Sequence, residues 1–501
     1  MEEERTALAD VVKMGKFHKV DSTFLGMMGK NPADFWAVAG YADRMFQEAQ
    51  YGLAFHLYRY CLDQWKDIDP SWRVIMWANL GHCLKHNGFD AEAEMAFGKA
   101  LSFSTDKKQI SAVWLTRGIF YVGKGQPEKV IEYCDKALEA DPESEVPMFD
   151  RGLAYLEMGR WKEGWEGYCK GERGRNPRCY HSDKPTQPWD GKRKRNVVVW
   201  GEQGVGDEIM FGSCLPDMIG SVDRVILDCH PRLEKTWKRS FPGLTVYPTR
   251  KSVDYTWWQT EKIDKQVSIA DLPRHFRNRD GDFPGVPFLK ADPERVKHYR
   301  AKLQALGPAP YVAIAWFGGE NKTRWDYRSI PLNLWHPLRA KGGTFVSVQY
   351  NKWGHQAEAE KNGIQSWDGY YDQDGPIEDL DEMFALIEAC DLVISVCQTA
   401  IHMAGALGKE CWCLTPNKPA WRYLITGDRM PWYNSVRLIR QGKDEEWKSV
   451  IERTAGQYQA WKANRSGLHQ DVQDQRSAGV AGMAGSVGAA PQGVVSARGG
   501  G

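Results

Sequence analysis

Apolar positions in the N-terminal third of the chain recur with helical spacing, and small residues recur among them at a longer interval. Gly118 and Gly152 lie 34 residues apart, and Tyr121 and Tyr155 have the same separation. Both pairs stand in segments whose apolar residues are spaced three and four apart, as in amphipathic helices. A fixed period of this length indicates stacked pairs of helices. The pattern therefore predicts an all-α repeat domain over residues 1–172.

The period and its residue types are those of tetratricopeptide repeats. An earlier unit is centred on Gly81, which lies 37 residues before Gly118, and a weaker one is predicted over 36–61. Such stacks form a concave surface that commonly holds a polypeptide. With so few units, a role limited to stabilising the following domain is equally compatible with the sequence.

Beyond a proline-containing linker over 173–195, short β-branched runs alternate with helical segments. Strands are predicted at 196–200, 224–229, 244–247, 311–316, 344–349, 392–396 and 410–414, with helices at 208–218, 232–239, 380–389 and 399–407. This alternation is typical of parallel sheets. We predict two Rossmann-like α/β lobes, over 196–308 and 309–465, with a ligand cleft at the carboxyl ends of their strands. Residues 466–501 lack the apolar content of a core and are predicted to form a disordered tail.

Composition restricts the class of protein. The chain has 501 residues, a formal net charge of +1 and 42% hydrophobic residues, as expected of a globular protein. It has neither an apolar run of the roughly 20 residues needed to span a bilayer nor a recognisable signal peptide, so we predict a cytoplasmic protein. The basic run Lys192–Arg195 is interpreted as a solvated strand entry. A nucleic-acid-modifying enzyme that uses this run is a less favoured hypothesis.

The cysteines and paired acidic residues do not indicate a metal site. Eleven cysteines are scattered without a CxxC pair, and Cys411 and Cys413 are predicted to be buried, reduced thiols. Two Asp-x-Asp pairs, at 280–282 and 372–374, have the spacing of a diphosphate-bound cation site. Both lie in segments rich in glycine or proline, where turn chemistry explains them better. We predict no metal.

Three segments occur in a recognisable order. They are Trp200–Phe211, Arg328–Pro331 and His402–Gly408. Together they resemble the tetratricopeptide-containing relatives of the ADP-heptose heptosyltransferases, which have the GT-B glycosyltransferase fold, over roughly residues 188–460. The chain is also similar to the O-GlcNAc transferases, which join such repeats to GT-B lobes. The resemblance implies inverting, metal-independent transfer from a nucleotide-sugar donor to an acceptor hydroxyl, without a further cofactor. A protein or glycan acceptor held by the repeats is the implied partner.

The resemblance also implies roles for individual residues. Asp207 aligns with the general base, which removes the acceptor proton. Its alternative role is to stabilise a helix N-terminus through the helix dipole. The remaining residues of the same loop are expected to lie on the acceptor side: Glu202, Gln203, Gly204 and Gly206.

The donor-side expectations lie in the second lobe. Arg328 falls where the family places a basic residue against the donor diphosphate, and Lys322 and Arg324 are expected to share this role. The backbone around Thr399 is expected to cradle phosphate. The other expected donor contacts are Gly318, Gly319, Ser329, Gln349, His402 and Gly405. At Cys397 the chain departs from the family, which has an aspartate that contacts the donor sugar, so ADP-heptose is not assumed.

A second hypothesis is a non-catalytic scaffold whose repeats hold a partner and whose glycosyltransferase lobes have degenerated. Cys397 favours this hypothesis. Asp207, Arg328 and His402 favour the enzyme.

Overall fold

The computed structural model describes residues 35–484, except 123, 176–187, 193–194, 203, 251–255, 320–324, 351–353 and 368–379. For 171–175, 325–326 and 466–484 it describes the backbone only. An all-α region is followed by two α/β lobes, as the sequence predicts.

The described part of the N-terminal region consists of consecutive antiparallel helices. They are α1 (Phe35–Gln47), α2 (Tyr51–Gln64), α3 (Pro70–His86), α4 (Asp90–Phe103), α5 (Lys107–Val122), α6 (Pro127–Ala140), α7 (Glu145–Glu157) and α8 (Trp161–Arg175). In three successive units, a glycine of one helix faces an aromatic residue of the next: Gly81 faces Phe97, Gly118 faces Tyr133 and Gly152 faces Tyr168. The repeated glycines therefore permit close helix pairing, which accounts for the period in the sequence.

The tightest of these contacts yields a stability prediction. A Cβ atom added to Gly152 would lie 2.6 Å from the backbone nitrogen of Tyr168. Because backbone cannot move aside as a side chain can, Gly152→Ala is expected to lower the free energy of unfolding by about 2 kcal/mol. Gly98 of α4 is the matched control, since a Cβ atom there meets no atom within 4 Å. Gly98→Ala should raise stability by roughly 0.5–1 kcal/mol, because alanine favours helix over glycine. Urea unfolding followed by circular dichroism tests both, and equal effects would contradict the packing described.

The first lobe contains a four-stranded parallel sheet of order β3-β2-β1-β4. Its strands are β1 (Asn196–Trp200), β2 (Arg224–Asp228), β3 (Thr245–Tyr247) and β4 (Lys265–Ser268). Its helices are α9 (Val205–Gly212), α10 (Leu215–Ile219), α11 (Glu234–Ser240), α12 (Trp257–Thr260), α13 (Pro273–Phe276) and α14 (Pro293–Leu306), the last leading to the second lobe.

The second lobe contains a six-stranded sheet of order β6-β5-β7-β8-β10-β9, in which β9 pairs antiparallel with β10 and the other described strands pair in parallel. Its strands are β5 (Tyr311–Ala315), β6 (Thr344–Ser347), β7 (Leu392–Val396), β8 (Cys411–Thr415), β9 (Arg429–Met430) and β10 (Tyr433–Arg440). Its helices are α15 (Trp325–Arg328), α16 (His336–Arg339), α17 (His355–Lys361), α18 (Asp381–Ala389), α19 (Thr399–Leu407) and α20 (Trp447–Ala484). The tail predicted from residue 466 begins within α20, and residues 485–501 lie outside the described residues.

The last repeat helix is joined to both lobes by a shared aromatic core. Trp165 of α8 lies edge-on to Trp421 of the second lobe, with ring centroids 5.6 Å apart. Its indole nitrogen donates a hydrogen bond of 2.6 Å to the carbonyl oxygen of Arg277 in the first lobe. Phe211 of α9 stacks on Trp421 at 6.3 Å. The repeats are therefore packed directly against the elements that surround the cleft.

The acidic pair at 280–282 and Lys192 of the basic run make the contacts expected of a turn and of a solvated strand entry. The Asp280 carboxylate accepts a hydrogen bond from the Trp161 indole, and Asp282 accepts hydrogen bonds from the backbone of the same turn. The other acidic pair, at 372–374, lies outside the described residues. In the basic run, Lys192 is 78% exposed and pairs with Asp190 at 3.3 Å.

Candidate functional site

The candidate site lies where the glycine-rich loop after β1 meets the N-terminus of α19. A Cβ atom on Gly206 would lie 3.0 Å from the His402 ring and 3.3 Å from the Thr399 hydroxyl. The start of α9 therefore touches the start of α19 across the two lobes. The fold brings together two groups of residues that the sequence predicted, which lie nearly 200 residues apart in the chain. They are Gly206 with Asp207, and Thr399 with His402.

Asp207 makes two contacts of different kinds. One carboxylate oxygen accepts a hydrogen bond of 3.2 Å from the backbone nitrogen of Gly204, which caps α9. The other forms an ion pair of 2.6 Å with the guanidinium of Arg422, on the 3₁₀ turn Trp421–Tyr423 of the second lobe. The side chains of Asp207 and Arg422 are 19% and 18% exposed. The capping and catalytic roles considered for Asp207 are therefore structurally compatible.

Arg422 is a site residue that the sequence interpretation missed. Burial lowers the pKa of its guanidinium, but the opposing charge of Asp207 and its neighbours outweighs burial, so the pKa lies above its ordinary value. Arg422 remains a cation at any physiological pH. The signal available in the sequence was weak, since one arginine between two aromatic residues in a proline-containing loop has many explanations.

Glu208 anchors the helix that carries Asp207. It is fully buried, and its carboxylate pairs with Arg250 at 2.6 Å and accepts a hydrogen bond of 3.0 Å from the backbone nitrogen of His230. Burial raises the pKa of Glu208, against the lowering effect of Arg250. These contacts fix the first turn of α9 and therefore the position of Asp207. Glu202, in the preceding loop, is also buried, and it accepts a hydrogen bond from Ser268.

His402 is buried at the lobe interface. Its Nδ1 atom lies 3.3 Å from the Tyr433 hydroxyl oxygen. Burial and the nearby positive charge of Arg422 lower the pKa of His402 to about 3. The imidazole is therefore neutral near pH 7. The Tyr433 ring packs over Gly405, where an added Cβ atom would lie 2.3 Å from the ring.

The lowered pKa of His402 predicts a pH effect on stability. In the unfolded chain this histidine takes up a proton near pH 6.5, whereas in the folded chain it does so near pH 3. Its contribution to stability is therefore complete above pH 6.5 and is lost as the pH falls toward 3. At pH 5 we expect a loss of about 2 kcal/mol from this residue. Urea unfolding at pH 7 and pH 5 should show a smaller pH effect in His402→Gln than in the wild type. The exposed His298, replaced in the same way, is the control, and an undiminished pH effect in His402→Gln would contradict the prediction.

Arg328 lies against the turn that follows β5. Its Nε atom donates a hydrogen bond of 2.6 Å to the carbonyl oxygen of Gly318, whose backbone nitrogen donates one of 3.1 Å to the Ser329 hydroxyl. Burial lowers the pKa of Arg328, and the charges of Asp207 and Arg422 also act on it. Gly319 has a φ of 87°, a left-handed conformation that glycine adopts readily. Lys322, Arg324 and Gln203 lie outside the described residues.

Two predicted donor contacts, Gln349 and Gly405, make close contacts within the protein. The side-chain oxygen of Gln349 accepts hydrogen bonds from the backbone nitrogens of Trp316 and Phe317, and its side-chain nitrogen donates to the carbonyl oxygen of Tyr350. Its amide therefore holds the loop after β5 instead of facing a ligand. Gly405 leaves room for the Tyr433 ring and lies below the surface of the cleft. Gln349 and Gly405 therefore position the loop after β5 and the Tyr433 ring next to the site.

Cys397, which stands where the family has an aspartate, contacts a second cysteine on the neighbouring strand. Its sulfur lies 3.6 Å from that of Cys413 on the neighbouring strand, and both thiols are buried and free. Burial raises the pKa of the Cys397 thiol, but the Cys413 hydrogen bond and the Arg328 charge outweigh burial and lower it. The prediction that Cys411 and Cys413 are buried, reduced thiols is confirmed.

A cavity of about 240 Å³ separates the repeats from the second lobe beside this site. Asp150, Leu153 and Glu157 of α7 line one side, and Arg328 and Trp421 line the other. The cavity therefore connects a face of the repeat helices with the residues expected to bind the donor.

Comparisons with known proteins agree with the architecture. A family model of the tetratricopeptide repeat matches residues 111–144, which span α5 and α6. The chain therefore contains a segment similar to the tetratricopeptide repeat. The chain is 30% identical over 411 residues to Protein FlbA of Caulobacter vibrioides, an alignment that covers 76% of the chain and 66% of the relative. The chain thus spans just under two thirds of that relative's length.

Two solved structures are similar to parts of the chain at low sequence identity. E. coli ADP-heptose lps heptosyltransferase II is 13% identical, with a TM-score of 0.35, over 54% of this chain and 99% of that chain. A mutant of the Thermobaculum terrenum O-GlcNAc transferase is 12% identical, with a TM-score of 0.27. The match covers 89% of this chain and 93% of that chain. At these scores neither likeness carries a functional conclusion. The order of helices and strands in the structure confirms the predicted combination of helical repeats with two Rossmann-like lobes. Among the described residues, no helix has the length and apolar character needed to span a membrane.

Proposed function

We propose that this tetratricopeptide-repeat protein is an inverting glycosyltransferase that moves a sugar from a nucleotide-sugar donor to an acceptor hydroxyl. The observation that carries the proposal is the placement of Asp207 at the lobe interface, opposite the cations Arg328 and Arg422 and the N-terminus of α19. A carboxylate on one side and fixed positive charge on the other suit proton removal and stabilisation of an anionic leaving group.

The proposed reaction has one displacement step. The acceptor oxygen attacks the anomeric carbon, a new carbon–oxygen bond forms, and the bond from that carbon to the donor phosphate oxygen breaks. The electron pair of the broken bond leaves with the nucleotide, beside Arg328 and the backbone N–H groups of Thr399 and its neighbours. The acceptor proton passes to the Asp207 carboxylate. Attack opposite the leaving group inverts the anomeric configuration.

We propose that the reaction requires no metal, since the partly buried cations Arg328 and Arg422 would offset the charge of the departing nucleotide. The acceptor is proposed to be a protein or glycan that approaches through the cavity between α7 and Trp421. The repeat helices that line this cavity would then hold the acceptor near Asp207.

The test is to incubate the purified chain with UDP-, GDP-, ADP- and CMP-sugars, with and without EDTA, and to measure nucleotide release. Release from one class of donor, unaffected by EDTA, is expected, and NMR of the transferred or hydrolysed sugar should show inversion. Retention of configuration, or loss of release with EDTA, would overturn the corresponding part of the proposal.

The scaffold hypothesis has one specific observation in its favour, which is the turn of Cys397 toward Cys413. A scaffold would show no nucleotide release in the same experiment, whereas its repeats would still bind a partner.

A further inference from the structure

Arg422 has unused hydrogen-bonding capacity beside the proposed donor site. One guanidinium nitrogen pairs with Asp207, while its Nε atom is buried without a hydrogen-bond partner among the described residues. The side-chain nitrogen of Gln398, the residue before α19, is also buried without such a partner in the described part of the chain. Buried N–H groups are normally satisfied, so these donors indicate an acceptor that binds here.

The chemistry of the group fits a phosphate better than a single carboxylate. A guanidinium has five N–H donors in a planar fork that matches phosphate oxygens in pairs. Asp207 occupies one arm of the Arg422 fork. The helix N-terminus at Thr399 adds backbone donors suited to the same anion.

The backbone that carries Arg422 is held independently of its side chain. Arg440 donates hydrogen bonds to the carbonyl oxygens of Tyr423, Leu424 and Thr426, which follow Arg422 in the chain. The turn therefore stays in place if the Arg422 side chain changes partner. Only rotation of the side chain is required for it to leave Asp207.

We propose that Arg422 binds the donor diphosphate and that donor binding withdraws it from Asp207, which frees the carboxylate to act as the base. This inference rests on the proposed function. Before the donor binds, the ion pair holds Asp207 and links the two lobes. The donor therefore binds first, and the acceptor is deprotonated only when an anomeric carbon is in place to receive it.

The inference predicts competition between Asp207 and the diphosphate for one cation. Isothermal titration of UDP, GDP and ADP into the full chain measures this competition. Asp207→Asn is expected to bind the preferred nucleotide about tenfold more tightly than the wild type, because its neutral amide no longer holds the guanidinium. Arg422→Gln is expected to bind at least tenfold more weakly. The double variant Asp207→Asn with Arg422→Gln should bind the nucleotide with the same affinity as Arg422→Gln alone.

Matched variants separate this effect from general disturbance. Asp217→Asn removes a carboxylate that pairs with Arg277 at 2.7 Å in the same lobe, and it should leave nucleotide affinity unchanged. Arg422→Lys keeps the charge, and it should retain part of the affinity if Arg422→Gln fails to fold. If the wild type binds a nucleotide and Asp207→Asn binds it no more tightly, the inference is overturned and the proposed function stands. No nucleotide binding by the wild type would overturn the proposed function itself.

Discussion

Asp207→Asn is expected to lower kcat for sugar transfer by about a thousandfold, within the range for loss of a general base. Asparagine keeps the oxygen that caps α9 through the Gly204 backbone nitrogen. It cannot accept the acceptor proton, and it no longer pairs with Arg422. The loss should therefore appear in kcat, while the KM for the donor stays constant or falls. Steady-state kinetics with the donor found by nucleotide release measures both parameters.

The control for this variant is Asp217→Asn, which makes the same chemical change on α10 and breaks another aspartate–arginine pair. It should retain wild-type kcat. If Asp207→Asn also retained wild-type kcat, Asp207 would serve only to cap α9. This is the alternative role that the sequence analysis gave it.

Arg328→Ala is expected to weaken binding of the nucleoside diphosphate by about a hundredfold, as for the loss of a buried charge-assisted hydrogen bond to phosphate. Its guanidinium lies beside Gly318 and Cys397 at the carboxyl ends of β5 and β7. Because the arginine is partly buried, water compensates only incompletely for its removal. Isothermal titration with the nucleotide, and the KM for the donor, measure the effect.

Arg339→Ala provides the comparison, since Arg339 is another partly buried arginine of the second lobe whose pKa is lowered by burial. It lies at the end of α16, against Gly363, and lines a different cavity. It should leave the affinity unchanged. Equal losses in both variants would show that Arg328 supports the fold and not the ligand.

The sequence predicted the elements whose buried residues form a clear apolar pattern along the chain. The strand Asn196–Trp200 was predicted with the observed bounds, because a central parallel strand is apolar on both faces. The strand β4, Lys265–Ser268, was missed because it has four residues and polar positions on both faces. The alternating β10 was missed for a related reason, since its exposed positions interrupt the apolar run.

The site could be predicted only where an ordered set of motifs marked it. Asp207 and His402 are found by resemblance, and the structure brings their loops into contact. Arg422 carries no such mark, because its importance arises from a contact with a residue 215 positions earlier. Gln349 was expected at the ligand because it follows a strand at the cleft. Sequence position does not show that backbone groups already use its amide.

The most direct test of the proposed donor site is a thermal-shift screen of the wild type and Arg328→Ala against UDP, GDP, ADP and CMP. A nucleotide at about 100 times its dissociation constant adds about 2.7 kcal/mol of stability, which is readily visible as a rise in melting temperature. We expect one nucleotide to raise the melting temperature of the wild type and to lose that effect in Arg328→Ala. No rise with any of the four at millimolar concentration would contradict the proposed donor site and favour the scaffold.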